Sequence, residues 1–219
     1  MLNHQLISSH IKSLAPHQTV EEALATMDDL EIRQLPVVHE GLYRGLLEEE
    51  DLLEASSKQI LEELVYDYHP FSVRPEEHIL NAVKLSASHR LDIIPVVDSE
   101  KHYVGSIDLN DLFRQHAKIS GAEDMGALIV LELDRSQYSF GEISRLVETN
   151  DALITQLNTY VDEGSGKITV TIRINKQEVS DIVATFQRYA YHVVYFFGKE
   201  EYENELQHNF KHLMNYLDI

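Results

Sequence analysis

The apolar positions of this chain recur with two periods, and the places where the period changes mark its elements. Val20, Ala23, Leu24 and Met27 repeat at helical spacing, and Thr19 with Glu22 forms a capping box that opens the helix. Leu35-Pro36-Val37-Val38 is an apolar run of strand length. Pro36 is confined to its start or to a sheet edge, because proline donates nothing to a ladder. Gly41 and its neighbours turn the chain into a second strand over 43–47, and a second helix follows from about Glu49.

The same series then returns. Leu14, Pro16, Val20, Ala23 and Leu24 fall in register on Val73, Pro75, Ile79, Ala82 and Val83. Leu35-Pro36-Val37-Val38 falls on Ile94-Pro95-Val96-Val97. After one inserted residue, Tyr43, Gly45, Leu47, Asp51 and Leu52 fall on Tyr103, Gly105, Ile107, Asp111 and Leu112. This many matched positions define an internal duplication, with one repeat over about residues 5–58 and a second over about 59–118. Each copy predicts strand, helix, strand, strand, helix, and two such units bury their apolar sheet faces against one another.

Beyond a polar connector over 115–126 the pattern changes. A strand is expected over 127–133, then a helix capped by Ser139 and Glu142 with Phe140, Ile143, Leu146 and Val147 on one side. A second strand over 152–161 leads into a hairpin turn at Glu163-Gly164-Ser165-Gly166. Ile168, Val170, Ile172 and Ile174 then alternate with Thr169, Thr171 and Arg173, the signature of a half-buried strand. Asn175 and Glu178 are the expected caps of a helix carrying Val179, Ile182, Val183 and Phe186, and 192–197 closes the set as a strand. The order βαββαβ over 127–198 predicts a ferredoxin-like sandwich, so the whole chain is α+β. Residues 199–219 predict an amphipathic helix with Leu206, Phe210, Leu213 and Leu217 on one stripe.

Composition narrows the functions open to this fold. The chain has no cysteine, which excludes disulfides and thiolate chemistry and suits a cytoplasmic protein. Eighteen Lys and Arg against 37 Asp and Glu give a formal charge of −19, which works against nucleic acid and anionic membranes as partners. The first residues carry no basic and apolar stretch of the signal-peptide kind, and the apolar runs are strand-sized. Twelve histidines are scattered without a partnered nucleophile, and there is no Gly-x-Ser-x-Gly, phosphate-cradling Gly-rich loop or His-Glu-x-x-His. No enzyme, cofactor or metal site is expected. The acids Glu48, Glu49, Glu50, Asp51 and Glu54 read as a solvated helix start, and His208 with His212 lacks an obvious third ligand.

The duplicated Pro-Val-Val strand, the Gly-led segment after it and the Asp in the last helix resemble the CBS domain, which occurs in tandem pairs of the Bateman type. The resemblance covers roughly residues 5–118. It implies a regulatory module that binds adenosine-containing ligands in clefts between the repeats and assembles as a homodimer. The downstream domain is similar in length and order to the ACT domain, a regulatory fold that often binds amino acids between copies. Tyr138 stands near the place of that family's usual Gly, which leaves dimerisation as the safer role. The domain order resembles the accessory proteins linked to acetoin utilisation.

Carried onto this sequence, the family pattern places ribose-binding carboxylates at Asp51 and Asp111. The Thr or Ser expected three residues earlier, near phosphate, is Glu48 in the first copy and Asp108 in the second. Leu14 and Val73, with Leu35-Pro36 and Ile94-Pro95, match the positions that frame the base, although taken alone they are core residues. Two readings stay open: a sensor of an adenosine compound carrying little negative charge, or a ligand-free module that docks on an enzyme or transporter.

Overall fold

A computed structural model describes residues 1–64 and 68–199 of the chain. Of the segment expected as a C-terminal helix, all but Lys199 lies outside the described residues, as do His208 and His212. The chain divides into two compact units, Met1–His116 and Ala117–Ile219.

In the first unit, repeat one runs β1 (Ile7–Ser8), α1 (Val20–Leu30), β2 (Gln34–His39), β3 (Leu42–Glu48) and α2 (Glu49–Leu52). Repeat two runs α3 (Ile79–His89), β4 (Ile93–Val97), β5 (Tyr103–Asp108) and α4 (Leu109–Ile119). The capping box of α1 forms as its sequence requires: the Glu22 amide donates to Thr19 Oγ1 at 3.2 Å and the Thr19 amide to Glu22 Oε2 at 2.8 Å. Val20, Ala23 and Met27 turn into the core, and in repeat two Ile79 and Ala82 do the same. Leu14 and Val73 each dock parallel beside the proline-led strand of their own repeat. The Leu14 amide donates to the Pro36 carbonyl at 2.8 Å, and the Val73 amide to the Pro95 carbonyl at 2.9 Å.

Each repeat is completed by the segment that precedes the other. β1, at the start of the chain, pairs antiparallel with β5 of repeat two, Ile7 opposite Ile107 and Ser8 opposite Ser106. His69, in the leading segment of repeat two, bridges to Leu46 on β3 of repeat one, with amide–carbonyl bonds of 2.8 and 3.1 Å. This crossing explains the duplicated glycine. Gly45 has φ +145° and a Cβ there would collide with Tyr68; Gly105 has φ +156° and a Cβ would collide with Ile7. Both positions therefore lack a side chain so that the other repeat's leading segment can cross.

The repeats differ in their second helix. α4 has 11 residues and α2 only 4. After α2 the chain folds back over the start of α1, where the amides of Val20 and Glu21 donate to the carbonyls of Gln59 and Ser57 at 3.0 Å each. Those amides have no partner inside their own helix, so closing over them competes with prolonging α2.

The second unit holds β6 (Leu128–Leu133), α5 (Phe140–Glu148), β7 (Ile154–Val161), β8 (Ile168–Ile174), α6 (Ser180–Arg188) and β9 (His192–Phe197). Its four strands form an antiparallel sheet in the order β7-β8-β6-β9, the ferredoxin-like arrangement. Ile129, Leu131, Val170, Ile172 and Ile174 pack against Ile143, Leu146, Ile182 and Phe186 of the two helices. One local expectation fails. α6 begins only at Ser180, without a side-chain cap, because Asn175 Oδ1 instead accepts from the Leu153 amide at 2.7 Å and ties the start of β7. Tyr138, in the loop before α5, is half-buried and packs on this core.

Candidate ligand-binding site

The duplicated acids all stand where β3 meets α2 and where β5 meets α4. In repeat one the Glu48 amide donates to Asp51 Oδ2 at 3.1 Å. The Glu48 side chain makes no capping bond and instead accepts from Gln34 Nε2 at 3.0 Å. In repeat two Asp108 Oδ1 accepts from the amides of Asn110 at 2.7 Å and Asp111 at 3.3 Å. The shorter aspartate reaches back to the helix start and the longer glutamate does not, as cap preferences dictate. Asp111 is engaged from two sides: Oδ2 accepts from Ser8 Oγ on β1 and Oδ1 pairs with Arg114, each at 3.1 Å.

Leu14, Leu35, Ile94 and Val73 are buried, as are Pro36 and Pro95. The carbonyls of both prolines already accept amides from the leading segments. Leu14 and Leu35 belong to the hydrophobic core of repeat one, and Val73 and Ile94 to that of repeat two.

Glu48 opens onto a cavity of about 250 Å³ lined also by Arg33, Gln34, Glu49, Glu50, His89 and Arg90. Four of these come from repeat one and two from the end of α3, so the cavity lies between the repeats. Arg90 reaches it because α3 ends there on a left-handed residue, φ 55°. Arg33 Nε lies 3.2 Å from Asp92 Oδ2, and that carboxylate raises the guanidinium above its ordinary range. A larger cavity of about 510 Å³ lies between α3 and α4 and is mostly apolar, with Val83, Leu112 and Phe113 in its lining. It holds none of the candidate acids, so size alone does not mark the chemistry.

An approximate twofold relates the repeats. Arg33 and Asp92 occupy equivalent positions and pair with each other, and Tyr43 stacks on its counterpart Tyr103 with centroids 6.4 Å apart. Burial pushes both phenols up, so they are neutral donors; Tyr43 donates to the Phe71 carbonyl at 2.7 Å. The duplication also supplies two histidines whose pairing the sequence reading missed. His69 Nε2 lies 3.9 Å from Glu48 Oε1, and His10 Nε2 lies 3.7 Å from Asp108 Oδ2. Arg33, His89 and Arg90 were missed as well, since nothing in their local sequence signals a ligand. For His10 and His69 a signal did exist: they stand at equal distances before Leu14 and Val73.

Among the described residues no group of three or more His, Asp or Glu could hold a metal ion, and no helix is long and apolar enough to cross a membrane. The cavity lining brings the carboxylates of Glu48, Glu49 and Glu50 together with the guanidinium groups of Arg33 and Arg90.

Comparison with known proteins decides the family. The CBS domain model matches residues 4–58 and 63–118. The chain belongs to the CBS-domain family. A solved CBS domain pair/ACT domain protein from Thermotoga maritima is 26% identical, with a TM-score of 0.50 over 54% of this chain and 98% of that one. The CBS domain-containing protein YhcV of Bacillus subtilis is 26% identical over 48% of this chain and 79% of its own length. Inosine-5'-monophosphate dehydrogenase of Methanocaldococcus jannaschii is 24% identical over 66% of this chain. The chain spans only 29% of that dehydrogenase's length. The architecture is thus a tandem CBS pair followed by a ferredoxin-like domain.

Proposed function

We propose that this CBS pair is the receptor of a non-enzymatic regulatory protein and senses a small adenosine-containing ligand. The observation that carries the reading is the placement of Asp51 and Asp111 at equivalent helix starts, the first beside the polar cavity of Glu48. A carboxylate there accepts ribose hydroxyls. The charge around it selects among adenosine compounds. Glu48 or Asp108 stands where a phosphate would approach, and like charges 4 Å apart repel by about 1 kcal/mol in water and about 4 kcal/mol at an effective dielectric near 20. Arg33 and Arg90 supply cationic counterparts in the same cavity lining. A nucleoside or monophosphate therefore suits the site better than a triphosphate.

A homodimer of this cytoplasmic sensor is supported by the apolar α3–α4 face, where the Phe113 side chain is 70% exposed. The ACT-type unit serves dimerisation or a second ligand, with a regulated enzyme or transporter as the downstream partner. Calorimetric titration of adenosine, AMP and magnesium-free ATP into the full chain tests the reading. Adenosine or AMP should bind and ATP should bind at least tenfold more weakly. Tight ATP binding would overturn the charge selection. Silence toward all three would favour the second reading, a ligand-free docking module, which the carboxylates at Glu48 and Asp108 also suit.

A further inference from the structure

The acids that replace the family's hydroxyl residue are not alone. Glu48 faces His69 and Asp108 faces His10, at 3.9 and 3.7 Å. Each pair joins an acid of one repeat to a histidine from the segment leading into the other, so the crossed strands of the fold build both pairs. Both members recur in register, histidine with histidine and acid with acid. Two independent surface accidents would not follow the duplication in this way.

We propose that His10 and His69, each beside one of the duplicated acids, are specificity-determining residues, and that each takes up a proton when a phosphate-bearing adenosine compound binds. The inference rests on the proposed adenosine reading and adds its control. With a neutral imidazole, the pair presents a carboxylate to the ligand's phosphate. With an imidazolium the pair is neutral, and the phosphate meets a cationic donor instead. Anion binding favours the charged imidazole, so AMP affinity falls from pH 6 to pH 8 while adenosine affinity stays flat.

The surroundings of both histidines agree with this role. His69 stacks on Phe71 at 5.5 Å between centroids, and Phe71 on His89 at 3.9 Å, which leaves the Nε2 edge turned to Glu48. The cavity onto which Glu48 opens is lined also by the ionisable side chains of Glu49, Glu50, Arg33, His89 and Arg90, with Arg33 held by Asp92. On α4, one turn beyond the Asp108 that faces His10, Asp111 pairs with Arg114. The histidine side chains are 57% and 43% exposed and the acids only 14% and 32%, so protons reach the imidazoles freely while the carboxylates face inward.

The test is calorimetry of AMP and adenosine at pH 6.5 in two buffers of different ionisation enthalpy, at low salt, with the full chain and a His10→Gln/His69→Gln variant. AMP should bind the natural chain with more proton uptake than the variant, whose remaining uptake reports the phosphate itself. Between pH 6 and 8 its affinity should drop by about fivefold per cleft relative to adenosine. A Glu48→Gln/Asp108→Asn variant keeps both histidines, so it should retain the uptake and bind AMP more tightly at pH 8, which keeps the test sound if the histidine variant folds poorly. Equal uptake in the natural chain and the histidine variant, or unchanged AMP affinity at pH 8 in the acid variant, would overturn the proton linkage and leave the adenosine reading standing. Failure of both ligands to bind the natural chain would overturn the two together.

Discussion

The two repeats share a backbone plan and differ in how the second helix begins. In repeat two Asp108 caps α4 with two amide bonds, Asp111 is held by Ser8 and Arg114, and the helix continues for 11 residues. In repeat one Glu48 leaves α2 uncapped, turns to Gln34 and the inter-repeat cavity, and the helix stops after 4 residues. A longer acid by one methylene thus separates a helix start tied into its own scaffold from one turned toward the cavity between the repeats. The two repeats share their buried apolar positions and differ at these acids.

The crossing glycines offer the strongest way to break the comparison. Gly45→Ala should cost about 3 kcal/mol in urea unfolding, since its Cβ would meet Tyr68 Cβ and backbone at a positive φ. Gly105→Ala should cost less, and Ile7→Ala should recover part of its loss, because there the obstacle is a side-chain methyl. If neither substitution lowers the urea midpoint, the crossed segments do not pack as described. The caps come next. Asp108→Ala should destabilise by about 1 kcal/mol, whereas Glu48→Ala should leave stability unchanged within a few tenths. Equal losses would erase the distinction between the two mouths.

A smaller effect contrasts the CBS pair with the ACT-type unit. Tyr191 is buried and donates to Glu142 Oε2 at 2.9 Å, and burial first, then that bond, pushes its phenol up to about 12 from 10.0. Its folded form holds the proton more tightly than the unfolded chain does. This stabilisation is complete below pH 10 and fades as pH rises from 10 through about 12. Thermal melts over that range should show the ACT-type unit losing stability with pH, and Tyr191→Phe should flatten the dependence. An unchanged slope in the variant would remove Tyr191 as its source.

Most of the architecture was legible because it rests on local rules. The Thr19–Glu22 box, the proline-led strands and the alternation from Ile168 to Ile174 each dictate their own geometry, and the duplication doubles the signal for the first unit. What could not be read were features made by distant chain. The crossing of Ile7 onto β5 and of His69 onto β3 leaves only the paired glycines as a trace. Asn175 looked like a helix cap because its type suits one, but tertiary contact with Leu153 claimed it. At the site, the acids were legible from register alone. Their counter-charges were not, since Arg33, His89 and Arg90 reach Glu48 through packing between the repeats.

One measurement bears most directly on the claim that the clefts of the CBS pair hold an adenosine compound. Crystals of the full chain grown with AMP should show the nucleotide between the repeats, its ribose hydroxyls on Asp51 or Asp111 and its phosphate beside His69 or His10. Density for AMP at a place away from both aspartates, or clefts that stay empty at saturating AMP, would contradict the account.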